Sequence, residues 1–109
     1  MAVRSKRLAG PATVAANGSA TLYTTPAGET ALIKGVTLFA QTASTVAYLG
    51  INGLTSGNLI LAEPVALGDG VTLQTFWVLH PGDTLEAYAV AAGALTVSIH
   101  GAELEGVAD

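Results

Sequence analysis

The chain has no cysteine, which excludes disulfides and thiolate metal sites and removes cysteine usage as a guide to redox compartment. Charge is scarce. Only 11% of the 109 residues are Asp, Glu, Lys or Arg, where a typical globular domain carries about 25%. Basic residues number four against eight acids, for a net charge of −4, which argues against a protein that coats nucleic acid. Aromatics are few, with one Trp, three Tyr and two Phe. No apolar run approaches the roughly 20 residues of a membrane-spanning helix. The basic start, Met1 to Leu8, runs into Ala9-Gly10-Pro11 rather than an apolar stretch, so it does not read as a secretory signal.

What is present is apolar. Half of the residues are hydrophobic, and mean hydropathy is +0.54. The length fits one domain with one core. Area scaling gives roughly 5,600 Å² folded against roughly 15,800 Å² unfolded, so about a third of the surface stays outside. With so few charges that outside must be Ala, Gly, Thr, Ser and some aliphatic side chains, a surface poorly kept apart by charge repulsion. It reads as a surface built to be covered by other subunits.

The charges are unevenly placed. Arg4, Lys6 and Arg7 fall in the first seven positions, and Glu103, Glu105 and Asp109 lie at the other end. Either both termini are solvated, or a basic arm docks on an acidic patch of a neighbour, where charge sets register and partner choice. The expected organisation is a basic arm with the first short strands over 1–18, a β-sandwich over 19–105 and an acidic tail over 106–109.

Turn residues punctuate short apolar runs at near-regular spacing: Gly10-Pro11, Asn17-Gly18, Pro26-Ala27-Gly28, Asn52-Gly53, Ser56-Gly57, Gly68-Asp69-Gly70, Pro81-Gly82-Asp83 and Gly93. Asn-Gly suits a type I′ hairpin turn, and Pro81-Gly82 a type II turn. Between them, segments rich in Val, Ile, Leu, Thr and Tyr predict strands near Arg4–Leu8, Ala12–Ala15, Ala20–Thr24, Thr30–Gln41, Thr45–Ile51, Asn58–Val65, Val71–Leu79, Thr84–Ala91 and Leu95–Glu103. No segment shows a capped 3.6-residue stripe. Short strands with turns every 8–12 residues or so predict an all-β, single-domain antiparallel sandwich, jelly-roll-like.

Leu95, Val97 and Ile99 alternate with polar residues, as in a strand with one face inside. Thr30–Gln41 does not, because Ile33 and Phe39 lie on one face by simple alternation and Leu32, Val36 and Leu38 on the other. Thr45–Ile51, Leu59–Ala62 and the Phe76–Leu79 run are also apolar on both sides. Cover for the second face comes either from other subunits or from small residues and loops of the same chain. Thr25-Pro26-Ala27-Gly28-Glu29-Thr30 and His80-Pro81-Gly82-Asp83-Thr84 share one plan, which predicts similar corners in two halves of the sandwich.

Chemistry is sparse. Nucleophile-elbow, phosphate-loop and His-Glu-x-x-His motifs are absent. His80 and His100 could join Glu86 or Glu103 around zinc, but nothing in their spacing supports it. Glu103 and Glu105 share a face of one strand, a poor place for a glycosidase cleft. No enzyme activity and no cofactor are expected. Trp77, Tyr23, Tyr48 and Tyr88 are the candidates for a sugar platform. Nucleic-acid binding would rest on Arg4, Lys6 and Arg7 alone, with no aromatic interleaving, and neither nucleic acid nor membrane is expected as a partner.

The stretch Ser19 to Leu104 resembles small β-sandwich virion proteins of tailed bacteriophages. The resemblance is carried by Leu22-Tyr23-Thr24-Thr25-Pro26-Ala27-Gly28-Glu29-Thr30-Ala31-Leu32-Ile33-Lys34, by Leu79-His80-Pro81-Gly82-Asp83-Thr84-Leu85, and by the closing strand Leu95–Glu103. It implies a capsid decoration, head-fibre or tail-associated subunit located in the virion and made in the host cytoplasm, and it transfers no catalytic residue. The expected role is a capsid decoration or accessory protein, a trimer or other small homo-oligomer bound to the major capsid protein or another virion protein. Arg4, Lys6 and Arg7 would anchor the arm, and the faces bearing Leu32, Val36, Leu38 and Phe76 would make apolar contacts. The alternatives are a tail or fibre subunit and, from another class, a carbohydrate-binding module for host recognition.

Overall fold

The computed structural model describes residues 3–15, 18–40, 43–55, 57–90 and 95–105, with side chains from 7 to 104. Strands β1 (Val3–Val14), β2 (Ser19–Thr24), β3 (Glu29–Ala40), β4 (Thr45–Ile51), β5 (Leu59–Val65), β6 (Gly70–Leu79), β7 (Thr84–Val90) and β8 (Leu95–Glu105) make up the regular structure. Neighbours in sequence at the centre, β4 and β5, pair as a hairpin. Outside it the chain pairs β3 with β6, β2 with β7 and β1 with β8, all antiparallel. Successive pairs fall alternately in two sheets, ordered β1-β8-β3-β6 and β2-β7-β4-β5. The expected antiparallel sandwich is therefore what forms.

Alternation decides the core. Inward residues of the first sheet include Val14, Ile33, Val36, Leu38, Leu79, Leu95, Val97 and Ile99, all buried. The second sheet answers with Ala47, Leu49, Val65, Leu85, Ala87 and Ala89. Together these side chains form one buried core between the two sheets. The folded chain exposes 5377 Å², close to the area expected for its mass.

Simple alternation fails in β3, and the reason is a bulge. Pairing to both β6 and β8 shifts register between Ile33 and Gly35. Ala31 and Ile33 point inward before it, and Val36, Leu38 and Ala40 after it. The Thr75 hydroxyl donates to the Ile33 carbonyl at 2.8 Å, satisfying a backbone group that the irregular ladder would otherwise strand. Val36 and Leu38 are thus core residues, not outer-face residues beside Leu32. Much of the doubly apolar character of this strand is one inner face that changes parity.

At the start, the segments expected as separate strands near Arg4–Leu8 and Ala12–Ala15 form one strand. Gly10-Pro11 does not end a strand. β1 runs through it beside β8, with register shifts between Arg7 and Ala9 and between Ala9 and Ala12. Arg4, Lys6 and Arg7 sit in this edge strand, opposite Glu103, Gly101 and His100 in register. The turns expected at Asn17, Ser56 and Gly93, and the acidic tail 106–109, lie outside the described residues.

Candidate functional site

The two similar corners meet. Pro26-Ala27-Gly28-Glu29 closes with Glu29 N–H on the Pro26 carbonyl at 3.1 Å, and His80-Pro81-Gly82-Asp83 with Asp83 N–H on the His80 carbonyl at 2.9 Å. Gly28 (φ 75°) and Gly82 (φ 85°) take the left-handed position, as a type II turn requires of its third residue. Thr25 N–H donates to the Asp83 carbonyl at 2.9 Å, and Gly82 N–H to the Thr25 carbonyl at 3.1 Å. The β4–β5 loop joins them. The Asn52 side-chain amide donates to Asp83 Oδ1 at 2.9 Å and its oxygen accepts from Thr84 N–H at 2.9 Å, while His80 N–H donates to Asp83 Oδ2 at 3.0 Å. The Asn52 amide, then the His80 N–H, hold the Asp83 carboxyl below its ordinary value. Asn52 itself adopts φ 61° within a longer loop, not a two-residue hairpin. This end is a structural clamp.

The outer face of the first sheet carries an apolar strip. Phe76 is 72% exposed and Val78 41%. Leu32 pairs with Val78 on one side and with Ala102 on the other, and is half-buried. Phe39 is exposed farther along the same strand, and Leu67, 55% exposed, lies beside Ala40. Of the residues anticipated for contact, Leu32 and Phe76 lie here, Val36 and Leu38 lie in the core, and Arg7 is exposed on β1. The side chains of Arg4 and Lys6 lie outside those described.

The outer face of the second sheet is different. Ser19, Tyr88, Tyr48 and Ala62 form one cross-strand row. The two tyrosine rings lie 6.5 Å apart at 39°. In the next row Thr21, Glu86 and Gly50 pair across the strands. Gly50 presents no side chain, and the β4–β5 loop closes over it so tightly that a Cβ there would strike the Gly53 carbonyl. Leu54 and Leu59 from that loop and its exit wall a cavity of about 380 Å³ together with Ser19, Tyr48 and Tyr88. At the opposite end of the sheet a second depression of about 340 Å³ is lined by Ser44, Thr45, Val46, Pro64, Val65 and Ala66.

The other candidates do not converge. Glu103 is 4% exposed and faces the interior, where Tyr23 donates to it at 2.6 Å. His100 faces outward beside Ser98, and His80 is exposed at the clamp. Among the described residues no three His, Asp or Glu gather as a metal site. Of the four aromatics considered as a sugar platform, Tyr23 is buried and Trp77 packs against the core, leaving Tyr48 and Tyr88 facing outward. The inward place of Glu103 has a sequence signal: it continues the odd-numbered parity of Leu95, Val97 and Ile99. The Leu54 wall has none, because a loop sets it, and Leu59 follows that loop at the start of β5.

No family profile and no curated protein matches the chain. Among solved structures, 97% of the chain superposes on a chain of the infectious bursal disease virus Gx strain structure, with TM-score 0.57 and 9% identity. The match spans only 32% of that longer chain. At this identity the likeness is one of fold. The Agl-KA catalytic domain (TM-score 0.43, 17% identity, 95% of this chain and 25% of that one) and a pentameric capsid protein from metagenomic phage sequences (0.35, 17%, 94% and 61%) align more loosely. Neither bears on what this chain does.

Proposed function

We propose that this chain is a structural subunit of a tailed-phage virion, a capsid decoration or accessory protein that assembles through the outer face of its first sheet. The observation that carries the assembly reading is the strip of Phe76, Val78 and Leu32 on that face. A contiguous apolar strip on a chain with 11% charged residues has little to keep it apart from other molecules. The strand orders β1-β8-β3-β6 and β2-β7-β4-β5 support a jelly-roll reading, an eight-stranded double Greek key common in capsid domains. The virion setting rests on the resemblance of the Pro-Gly-acid corners and closing strand to phage virion proteins. The fold shared with the viral chain agrees with it. The basic run Arg4, Lys6 and Arg7, on the β1 edge, would meet an acidic surface of the shell or the next subunit.

Sedimentation equilibrium of the purified chain tests assembly. A small oligomer is expected, and a clean monomer at high micromolar concentration overturns the reading. Mass spectrometry of gradient-banded particles tests the virion setting, where the chain must appear at a fixed ratio to the shell protein. Charge reversal at Arg4, Lys6 and Arg7 should lower its incorporation, and unchanged incorporation removes the docking role of that edge.

A further inference from the structure

We infer that the cavity on the second sheet is a saccharide-binding site, with Tyr48 and Tyr88 as the platform for a neutral pyranose ring. Four observations converge. The tyrosines stand side by side on an outer face, tilted 39° with centroids 6.5 Å apart, and both line the cavity, half-buried; a tyrosine offers an apolar ring with a polar tip. The space they share with Leu54, Leu59 and Ser19 is about 380 Å³, within the range of small-ligand pockets. None of these five lining residues is charged, and the Glu86 carboxylate in the adjoining row disfavours an anionic ligand. Polar groups lie at the border: Ser19 in register with Tyr88, and Thr21 with Glu86 in the adjoining row. The Glu86 carboxylate is already oriented, one oxygen accepting the Thr84 hydroxyl at 2.9 Å.

A pyranose has the matching chemistry. Its C–H faces are apolar and lie flat on a ring, and its equatorial hydroxyls radiate toward donors and acceptors at the rim. Of the walls, Leu54 comes from the β4–β5 loop, which the Asn52–Asp83 bond fastens to the corner before β7, and Leu59 opens β5; walls fixed before a ligand arrives lower the ordering cost of binding. The site lies on the opposite sheet from the Phe76 strip, so an assembled subunit keeps it available. The inference does not depend on the assembly reading.

Two-dimensional NMR of the full chain, titrated with methyl glucoside, methyl galactoside, maltotriose, cellotriose and chitotriose, tests it. At least one probe should bind with Kd on the order of millimolar or tighter, with shifts confined to Ser19, Tyr48, Leu54, Leu59, Glu86 and Tyr88. Tyr88→Ala and Tyr48→Ala should each weaken that binding by at least about threefold, while Tyr88→Phe, which keeps the ring, holds the fold and most of the affinity. Three results would overturn the inference: no shift with any of the five probes, shifts elsewhere on the surface, or equal binding by folded alanine variants. Preferential binding of a hexaproline peptide at the same tyrosines would overturn it as well, since extended proline helices also dock on aromatic grooves.

Discussion

The Tyr23 hydroxyl donates to a Glu103 carboxylate oxygen at 2.6 Å, and in doing so it ties the second sheet to the first. Tyr23 enters from β2, just beyond the register shift between Thr21 and Tyr23, and Glu103 from β8 opposite Ala31. Both are buried. A carboxylate withdrawn from water is costly unless its acceptors are used, and a phenol is a donor that also fills apolar volume. Tyr23→Phe keeps the ring and removes the donor. Chemical denaturation should show a loss of about 1.5–3 kcal/mol, the range for hydrogen bonds to charged groups. A loss below a few tenths would show that the pair adds nothing to the joining of the sheets.

Asp83 gives the chain an acid-sensitive joint. Its folded pKa is depressed below 3.8 by the Asn52 amide and the His80 N–H. A depressed carboxylate contributes stability above its unfolded pKa, and that contribution is lost as pH falls through the folded value. Asp83→Asn should therefore lower the melting temperature at neutral pH. The gap between variant and parent should narrow as pH drops below 3.8. A gap that stays constant with pH would remove the ionised carboxylate from the account.

Strand limits were legible because turn residues and period-two patterns agree locally. Thr45–Ile51 is the same in sequence and structure, and the echoed Pro-Gly-acid corners prove to be hydrogen-bonded neighbours. The parity of β3 was not legible by counting. Lys34-Gly35 carries a bulge set by pairing to two other strands, and a glycine inside a strand run was its only local sign. Gly10-Pro11 is the opposite case: it reads as a break, yet a shift in register lets β1 continue past it. For the cavity, the outward tyrosines follow from alternation, but their meeting depends on the β4–β7 register, a relation between distant segments.

Gly101 is a position where backbone contact leaves no room for a side chain. It lies on β8 opposite Ile33, where the β3 ladder shifts. A Cβ there would fall on the Leu32 carbonyl oxygen, with the Leu8 side chain also close. The blocking atom is backbone in a paired strand, so relief requires moving β3 itself. Gly101→Ala should cost at least about 2 kcal/mol, toward the upper end of overpacking effects, read as a lower denaturation midpoint. A midpoint within error of the parent would show that the β3 bulge yields more easily than its pairing suggests.

Leu38 and Phe76 separate folding from assembly. Leu38 is fully buried behind the bulge, and Phe76 projects from β6 with 72% of its surface exposed. Truncating Leu38 removes buried volume in a close-packed layer, so Leu38→Ala should cost about 2–5 kcal/mol whatever the protein concentration. Phe76→Ser removes an exposed ring, and at concentrations where the chain is monomeric its effect should stay within about 0.5 kcal/mol. At concentrations where the parent associates, the same change should shift the sedimentation profile toward monomer and remove the concentration dependence of the melting temperature, because association stabilises by mass action. If Phe76→Ser left the association constant unchanged while Val78→Thr also had no effect, the outer face of the first sheet would not be the assembly surface, and the contacts would have to be sought at the β1 edge.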